Sequence, residues 1–278
     1  MTEPLTAAAS AVESWPVDHA SAVVVGPDGV IARAGETGRA FRLASVTKPL
    51  AAYAVLIAVE EGALELEQPA GPEGATVRDL LAHTAGYDFA DRTVRAAPRT
   101  RRIYSNTGFE VLGETLEAAT GMAFADYLRE AVLEPLGMGA TRLEGSPAAG
   151  GISTAEDLAR FAAELLQPRL LAEQTHREAT TAQFPGLAGV LPGYGRQTDN
   201  AWGLGLEIKA EKDPHWTGTR NSGRTFGHFG QSGTFLWADP AAGAACVALA
   251  DRDFGPWAID VWPGYSDGVL TALAGRSA

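Results

Sequence analysis

The sequence predicts an α+β fold: an antiparallel β-sheet flanked by N- and C-terminal helices, with an all-helical segment inserted between its strands. Short β-prone runs separated by Gly, Pro and Asp turns occur before residue 44 and after residue 201, whereas the region between them carries helix signals. The last segment, 259–274, has the apolar spacing of a terminal helix. We therefore expect strands from both ends of the chain to form one sheet, with the terminal helices packed against it.

The length and composition are those of a folded globular protein. With 278 residues, of which 46% are hydrophobic and 20% charged, the chain can bury a large core. We expect two subdomains. Residues 1–66 and 195–278 would form the sheet subdomain and residues 67–194 the helical subdomain, with the functional site between them.

Charge and hydropathy disfavour nucleic acids and membranes as partners. The net charge is −12, which opposes binding to polyanions and to anionic membrane surfaces. The N-terminus lacks the basic start and apolar stretch of a secretory signal, and the longest apolar run, 50–59, is too short to span a bilayer. We therefore expect a soluble, cytoplasmic protein. The sequence does not define its oligomeric state.

Neither a disulfide, nor a metal site, nor a cofactor is expected. Cys246 is the single cysteine and lies in an apolar, strand-like run, which favours inert core packing. The five histidines show no His-x-x-x-His spacing, and Gly203-x-Gly205 lacks the remaining glycine of a dinucleotide fingerprint.

The N-terminal elements are predicted from turn and periodicity signals. Residues 5–15 are Ala-rich and predict a helix. Residues 22–25 and 30–34 predict two strands joined by the turn Gly26-Pro27-Asp28-Gly29. Residues 40–43 add a short strand before a helix that opens at Ser45 and is apolar nearly all round, and so is expected to be buried.

The later elements follow from caps and from β-prone runs. Helices are expected at 76–81, 106–120, 124–133 and from the capping box Ser153-Thr154-Ala155-Glu156 to residue 166. Strands are expected at 202–209, 225–228, 234–238 and 244–250.

Ser45 and Lys48 form the first candidate catalytic pair. Three residues apart, they share one face of a helix. A helix start presents free N–H groups and a positive potential, which suits a serine that must become an alkoxide and a lysine that must lose its proton. With 11 Ser and 3 Lys in the chain, random placement gives roughly 0.1 such pairs. An N-cap serine with a snorkelling lysine is the alternative interpretation.

Two further motifs supply groups that would complete such a site. Tyr104 is expected to lose its proton more readily beside a lysine cation. The Asn106 amide can hold Lys48 on one side and a substrate carbonyl on the other. The alternative is a surface tyrosine at a helix N-cap. In His228-Phe229-Gly230, on a late strand, the glycine lets a substrate backbone approach closely.

Taken in order, Ser45-x-x-Lys48, Tyr104-x-Asn106 and His228-x-Gly230 resemble the serine β-lactamase and penicillin-binding-protein superfamily. The second motif resembles that of class C β-lactamases, D-alanyl-D-alanine peptidases and related esterases. The resemblance covers most of the chain, 23–252, and includes Trp202-Gly203-Leu204-Gly205. It implies a β-lactamase/transpeptidase-like fold and acyl transfer through an acyl-enzyme.

The resemblance also implies a role for each site residue. Ser45 would attack the substrate carbonyl, and Lys48 and Tyr104 would share the general-base and general-acid work as a coupled pair. Asn106 would orient Lys48 and the substrate. The backbone N–H groups of Ser45 and Gln231 would form the oxyanion hole.

The third motif departs from the family pattern. Here His228-Phe229-Gly230 replaces the Lys-Thr-Gly that β-lactamases usually carry. The resemblance implies that His228 lines the far wall of the cleft, where it can bind an acidic or polar group. A fixed cation is thus replaced by a group that is mostly neutral near pH 7. This replacement and the missing export signal favour an esterase or amidase acting on a small molecule. The alternatives are a β-lactamase or D-alanyl-D-alanine carboxypeptidase, a non-catalytic penicillin-binding-like sensor, and an acyltransferase.

Two other side chains are interpreted as structural. His83 could belong to a Ser-His-Asp arrangement, but a structural histidine before a turn is favoured, because Lys48 and Tyr104 already supply the base. Arg252, after the last strand, could hold a substrate carboxylate, although a solvated arginine is favoured.

Overall fold

The computed structural model describes residues 3–275, and its elements follow the predicted order. The helices are α1 (Glu3–Ser10), α2 (Thr47–Glu60), α3 (Val77–Leu81), α4 (Asn106–Thr120), α5 (Phe124–Leu128), α6 (Ala155–Leu166), α7 (Glu173–Ala179) and α8 (Pro256–Ala274). The strands are β1 (Ala20–Gly26), β2 (Gly29–Gly35), β3 (Ala40–Arg42), β4 (Arg142–Leu143), β5 (Gly151–Thr154), β6 (Gly189–Leu191), β7 (Gly195–Gln197), β8 (Glu207–Ile208), β9 (Phe226–Gly230), β10 (Thr234–Asp239) and β11 (Ala244–Ala250).

Strands from both ends of the chain form one antiparallel sheet. Its order is β2-β1-β11-β10-β9-β8, so the N-terminal hairpin pairs with the last strand. In that pairing Val23 lies opposite Val247. The predicted α+β class, with one sheet assembled from the two ends of the chain, is confirmed.

Both faces of this sheet are covered by helices. In β11 the side chains of Val247 and Leu249 belong to the core that contains α2 and α6, whereas Cys246 and Ala248 belong to the core that contains α1 and α8. Because successive residues of a strand point to opposite faces, two covered faces require a continuous apolar run. This explains why 244–250 has no polar residue, and why the terminal helices flank the sheet as predicted.

The inserted region is not all-helical. It also contains β4 and β5, which form a small sheet with β3 in the order β3-β5-β4, and it contains β6, whose hairpin partner β7 lies just beyond residue 194. These strands have two to four residues each, too few for a period-two pattern to stand out in the sequence. The division into two subdomains stays a prediction.

Several boundaries differ from the sequence-based expectation, among them the start of α6 and the extent of the strand predicted at 202–209. The cap of α6 is Thr154, whose hydroxyl accepts a hydrogen bond from Asp157 N at 3.1 Å, so the helix begins one residue later than a box headed by Ser153 would place it. In the stretch 202–209 only Glu207 and Ile208 are paired as a strand, although Trp202 forms an isolated bridge to Glu207.

Cys246 is a free, buried thiol whose pKa is raised to about 12 by burial, as inert core packing requires. Within residues 3–275, none of the helices combines the length and the apolar character needed to cross a bilayer.

Candidate active site

Ser45 lies in a tight turn between β3 and α2. The turn is a 3₁₀ segment, Ala44–Val46, and Ala44 adopts a φ of 45°, a left-handed conformation that costs energy for a residue with a Cβ. Thr47 holds the turn, since its hydroxyl donates to Ala44 O at 2.6 Å and accepts from Gly151 N at 2.9 Å. Ser45 remains partly exposed, as a nucleophile must be.

Lys48 is fully buried beneath Ser45. Its Nζ lies 3.2 Å from Ser45 Oγ, 2.7 Å from Asn106 Oδ1 and 3.0 Å from the Ala148 carbonyl oxygen. The lysine is 0% exposed. These contacts bring two of the predicted motifs, Ser45-x-x-Lys48 and Tyr104-x-Asn106, onto one amine nitrogen.

Burial changes the chemistry of this amine. The pKa of Lys48 is well below its ordinary value because burial disfavours the ammonium form, and the carboxylate of Glu110 opposes that shift only in part. A neutral amine has two N–H donors and one lone pair. It can donate to Asn106 Oδ1 and to the Ala148 carbonyl while its lone pair accepts the hydroxyl proton of Ser45.

Asn106 is positioned by the start of α4. Ser105 is the N-cap, and its hydroxyl accepts from Gly108 N at 3.1 Å, which fixes how the chain enters the helix. The Asn106 Oδ1 accepts from Lys48, while its two amide N–H donors have no hydrogen-bond partner among residues 3–275. Those donors are free to bind a substrate carbonyl.

Tyr104 lies over the same amine, with Lys48 Nζ 4.7 Å from its ring centroid. The expectation that a neighbouring lysine lowers the pKa of Tyr104 is wrong. Burial, which disfavours the phenolate, raises the pKa of Tyr104 above its ordinary value, and the Ser45 hydroxyl lowers it only in part. With Lys48 itself tending to neutrality, little cationic field remains to stabilise a phenolate. Tyr104 is therefore suited to donate or relay a proton.

His228 contacts Tyr104. Its Nε2 lies 3.5 Å from the Tyr104 hydroxyl, and the imidazole is only 3% exposed. Burial lowers the pKa of His228 to about 3. A neutral imidazole with one nitrogen directed at Tyr104 is better placed to orient the phenol than to bind an acidic substrate group.

Gly230 brings the end of β9 against the turn that carries Ser45. A Cβ at this position would lie 2.2 Å from the Leu43 carbonyl oxygen, so only glycine permits this approach. Thr234 Oγ1 also donates to Leu43 O, at 2.9 Å. Gln231 follows directly in the β9–β10 turn, where its carbonyl accepts from Phe254 N at 2.7 Å. The oxyanion hole formed by the N–H groups of Ser45 and Gln231 stays a prediction.

The two side chains interpreted as structural have protein partners. His83 Nδ1 accepts from Ser105 N at 3.2 Å, and its ring packs 4.7 Å from that of Tyr104. Arg252 donates to the Pro16 carbonyl oxygen at 2.7 Å and lies over the Trp257 ring. His83 therefore supports the Tyr104 segment, and Arg252 ties the end of β11 to the N-terminal region.

Some groups at the site carried no usable signal in the sequence. Ala148 contributes through its carbonyl oxygen, which any residue type supplies. Glu110 acts on Lys48 through its charge alone and is otherwise an exposed helix residue bonded to Ser146 at 3.1 Å. The sequence does carry one signal for this side of the site. It is the arginine-rich run Arg99-Thr100-Arg101-Arg102, immediately before the Tyr104 motif.

The chain is similar to several known proteins. The chain is 30% identical over 141 residues to penicillin-binding protein 4* of Bacillus subtilis (strain 168), covering 39% of this chain and 31% of that protein. The chain thus aligns with about a third of the length of that relative. The fold is shared with EstCE1, a hydrolase with promiscuous acyltransferase activity (TM-score 0.79, 17% identity, covering 96% of this chain and 98% of the other).

A second solved structure is much more similar. A β-lactamase from Mycobacterium bovis superposes with a TM-score of 0.95 at 56% identity, covering 96% of this chain and 99% of that one. The sequence model of the Beta-lactamase family matches residues 20–263, which is most of the chain. The protein therefore belongs to the β-lactamase family, within the serine β-lactamase and penicillin-binding-protein superfamily.

Proposed function

We propose that this protein is a serine hydrolase that cleaves an ester or amide bond of a small molecule through an acyl-serine intermediate. The observation that carries the proposal is the fully buried Lys48 amine, 3.2 Å from the Ser45 hydroxyl oxygen and with a lowered pKa. A partly exposed hydroxyl in contact with a neutral amine is an activated nucleophile and its base.

The acylation step follows from these contacts. Ser45 Oγ bonds to the substrate carbonyl carbon as its proton passes to Lys48 Nζ. Asn106 keeps the amine in place and offers amide donors to the substrate. When the bond to the leaving group breaks, Tyr104, whose pKa is raised, delivers a proton to the departing oxygen or nitrogen and is reprotonated through Lys48.

Deacylation reverses the same proton path. A water molecule attacks the acyl carbon and its proton passes to the Lys48–Tyr104 pair, while Ser45 Oγ recovers a proton as the ester bond breaks. His228, whose Nε2 lies 3.5 Å from the Tyr104 hydroxyl, contacts Tyr104 from the other side and stays uncharged near pH 7.

An esterase or amidase activity is the form of hydrolysis that we favour. The third motif supplies a neutral imidazole where β-lactamases usually carry a lysine, so a fixed cation for a drug carboxylate is missing at that position. β-Lactam hydrolysis is the second candidate, supported by the 56% identity to a protein described as a β-lactamase.

A single experiment tests the reaction class. The protein is incubated with p-nitrophenyl butyrate, a D-amino-acid p-nitroanilide and a chromogenic cephalosporin, and the wild type is compared with Ser45→Ala. We expect the wild type to turn over the ester and Ser45→Ala to lose at least about 10⁴-fold in kcat/KM. Unchanged ester hydrolysis by Ser45→Ala would overturn the proposal. Faster turnover of the cephalosporin than of the ester would favour the second candidate.

The covalent intermediate is tested separately. Intact-mass analysis after exposure to a fluorophosphonate is expected to show one adduct on Ser45 and none in Ser45→Ala. A stable acyl adduct without turnover would indicate a sensor. Transfer of the acyl group to an added alcohol, with little hydrolysis, would indicate an acyltransferase.

A further inference from the structure

A cleft adjoins Tyr104 on the side of the β6–β7 hairpin. Its volume is about 670 Å³. The apolar part of its wall is formed by Phe89, Ile103, Ala188, Val190 and Pro192. Phe89 is 49% exposed and stacks on the Tyr104 ring with centroids 5.9 Å apart, and Val190 is 61% exposed. An exposed apolar wall that continues from a catalytic tyrosine is typical of a substrate-binding surface.

The rest of the wall is cationic. Arg95, Arg101, Arg102 and Arg196 line the cleft, and neither aspartate nor glutamate is among the residues of 3–275 that form its wall. This is unusual in a chain whose net charge is −12. Three of these guanidinium groups, those of Arg101, Arg102 and Arg196, form no ion pair within residues 3–275, and they produce a local field opposite in sign to that of the whole protein.

Two of these arginines are exposed and carry uncompensated charge. Among residues 3–275, neither Arg101 nor Arg196 forms an ion pair; Arg101 donates only to the Arg95 carbonyl oxygen, at 3.1 Å. Arg95 differs, because its guanidinium is paired with Asp88. Arg101 and Arg196 are thus the groups available to a ligand.

Arg102 adds a buried positive charge to the same wall. It is 2% exposed, and its guanidinium donates to the carbonyl oxygens of Ala82, Gln183 (2.7 Å) and Phe184 (3.2 Å), all neutral acceptors. Burial lowers the pKa of Arg102 to about 10, and the more distant Asp199 opposes this only in part. An anion bound near Arg102 would offset the free-energy cost of burying its charged guanidinium.

The β6–β7 hairpin places a cationic and an apolar side chain next to each other in the wall of the cleft. Arg102 N donates to Ala188 O at 2.9 Å, which attaches the hairpin to the segment that leads into Tyr104. Within the hairpin Val190 lies directly opposite Arg196, so the two side chains emerge on the same face. A ligand chain that packs on Val190 therefore reaches Arg196.

We propose that this cleft binds the substrate through an anionic group carried on an apolar segment, with Arg101 and Arg196 as the residues that select for the negative charge. The substrate class is then an ester or amide with a carboxylate at the end of an apolar acyl or alcohol portion. The inference rests on the proposed hydrolase function. It assigns the recognition of the anion to the Tyr104 side of the site, because the imidazole of His228 at the third motif is neutral.

Two matched substrate pairs test this inference, one for each side of the scissile bond. The acyl pair is mono-p-nitrophenyl adipate and p-nitrophenyl hexanoate, which have the same chain length but differ in terminal charge. The leaving-group pair is the butyrate esters of 5-hydroxy-2-nitrobenzoate and of p-nitrophenol. In one of the pairs we expect kcat/KM for the anionic member to exceed that of the neutral member by about tenfold or more, and 0.5 M NaCl to reduce this ratio.

The arginine variants assign the preference to the cleft. Arg101→Gln and Arg196→Gln are each expected to reduce the anionic-to-neutral ratio by about five- to tenfold, mainly through KM, and Arg196→Lys to restore part of it. Arg224→Gln is the matched control, because Arg224 is exposed and lies before β9, at the end opposite Gly230. Equal kcat/KM within both pairs, or an equal effect of Arg224→Gln, would overturn the inference.

A binding measurement separates this inference from the proposed reaction. Adipic acid monoanilide is titrated calorimetrically into Ser45→Ala, with hexananilide as the neutral partner. Tighter binding of the anion, lost in Arg101→Gln/Arg196→Gln, supports the inference even if the wild type hydrolyses none of the esters, which would overturn only the proposed function. Ester hydrolysis with equal binding of both anilides would overturn only the inference.

Discussion

The amine nitrogen of Lys48 lies 3.2 Å from the hydroxyl oxygen of Ser45, and the whole lysine side chain is withdrawn from solvent. No carboxylate contacts this amine within residues 3–275; its other partners are Asn106 Oδ1 and the carbonyl oxygen of Ala148. Desolvation without direct charge compensation therefore drives Lys48 toward the neutral form. Burial thus supplies the unprotonated amine that can accept the Ser45 proton.

Removing the amine should stop acylation. Lys48→Met keeps an apolar stem of similar size but removes the terminal amine that accepts the proton, so the acylation rate is expected to fall by about 10³-fold or more. The release of p-nitrophenol from p-nitrophenyl butyrate before steady state measures this rate. Lys209→Met is the control, since Lys209 is only partly buried and lies outside the site. Acylation of Lys48→Met at the wild-type rate would exclude Lys48 as the base.

The activity should rise with pH as Lys48 loses its proton. Burial lowers the pKa of Lys48 well below the ordinary value of 10.5. The acid limb of the pH profile, where kcat/KM rises with pH, should therefore lie at a pH well below 10.5. Burial raises the pKa of Tyr104, so deprotonation of the phenol should add no limb between about pH 6 and 10. A profile that ascends only near pH 10.5 would contradict a neutral Lys48.

Glu110 should tune the position of that limb. Its negative charge favours the ammonium form and so raises the pKa of Lys48 in opposition to burial. Glu110→Gln removes this effect, and the acid limb should move slightly to lower pH, since the charge of the exposed Glu110 is screened by solvent. Glu114→Gln, on the same helix and paired with Arg92, should leave the limb in place. A shift to higher pH in Glu110→Gln would contradict this electrostatic account.

Elements with local signals could be predicted from the sequence. Helix α4 occupies 106–120 as expected, because the Ser105 cap and Gly121, with a φ of 71°, mark its two ends in the chain itself. The β1–β2 hairpin could likewise be predicted from a local signal, the turn Gly26-Pro27-Asp28-Gly29. The short strands β4 to β7 pair with only two or three residues each, and such pairing depends on partners that a local pattern does not contain.

The candidate site, too, could be predicted from the sequence only in part. The three motifs could be read from residue type and order, and the structure brings Ser45, Lys48 and Asn106 into contact. The direction of the Tyr104 pKa shift could not be read, since it depends on burial, a property of the folded chain. The contribution of Ala148 comes from its backbone and has no residue-type signature.

Gly230 should tolerate no side chain. In Gly230→Ala the new Cβ would meet Leu43 O at 2.2 Å and Thr234 Oγ1 at 2.5 Å, so β9 or the Ser45 turn must move. We expect kcat/KM to fall by about 10²-fold or more, because displacements near 1 Å at a reacting centre have effects of that size. Gly139→Ala is the matched control, since a Cβ there meets nothing within 4 Å. Equal activity of the two variants would show that the approach of β9 to the turn is not required.

Glu207 should be a major source of stability behind the site. Its buried carboxylate accepts from Lys212 Nζ (2.9 Å), His215 Nε2 (2.9 Å) and Trp216 Nε1 (2.7 Å). Glu207→Gln leaves the buried Lys212 without its anion, and the free energy of unfolding should fall by about 3–5 kcal/mol. Urea denaturation measures this change, with the exposed Glu144→Gln as the control, expected to cost at most about 1 kcal/mol.

The pH dependence of this contribution has a defined sign. Burial alone would raise the pKa of Glu207, but Lys212 and His215 together lower it below its ordinary value. A carboxyl whose pKa is lower in the folded than in the unfolded chain stabilises the fold above the unfolded value of about 4.3, and this stabilisation is lost as the pH falls toward the folded pKa. The difference in unfolding free energy between wild type and Glu207→Gln should therefore be largest near neutral pH and shrink below about pH 4. A difference that grows with acidification would show that the carboxylate form is not the stabilising one.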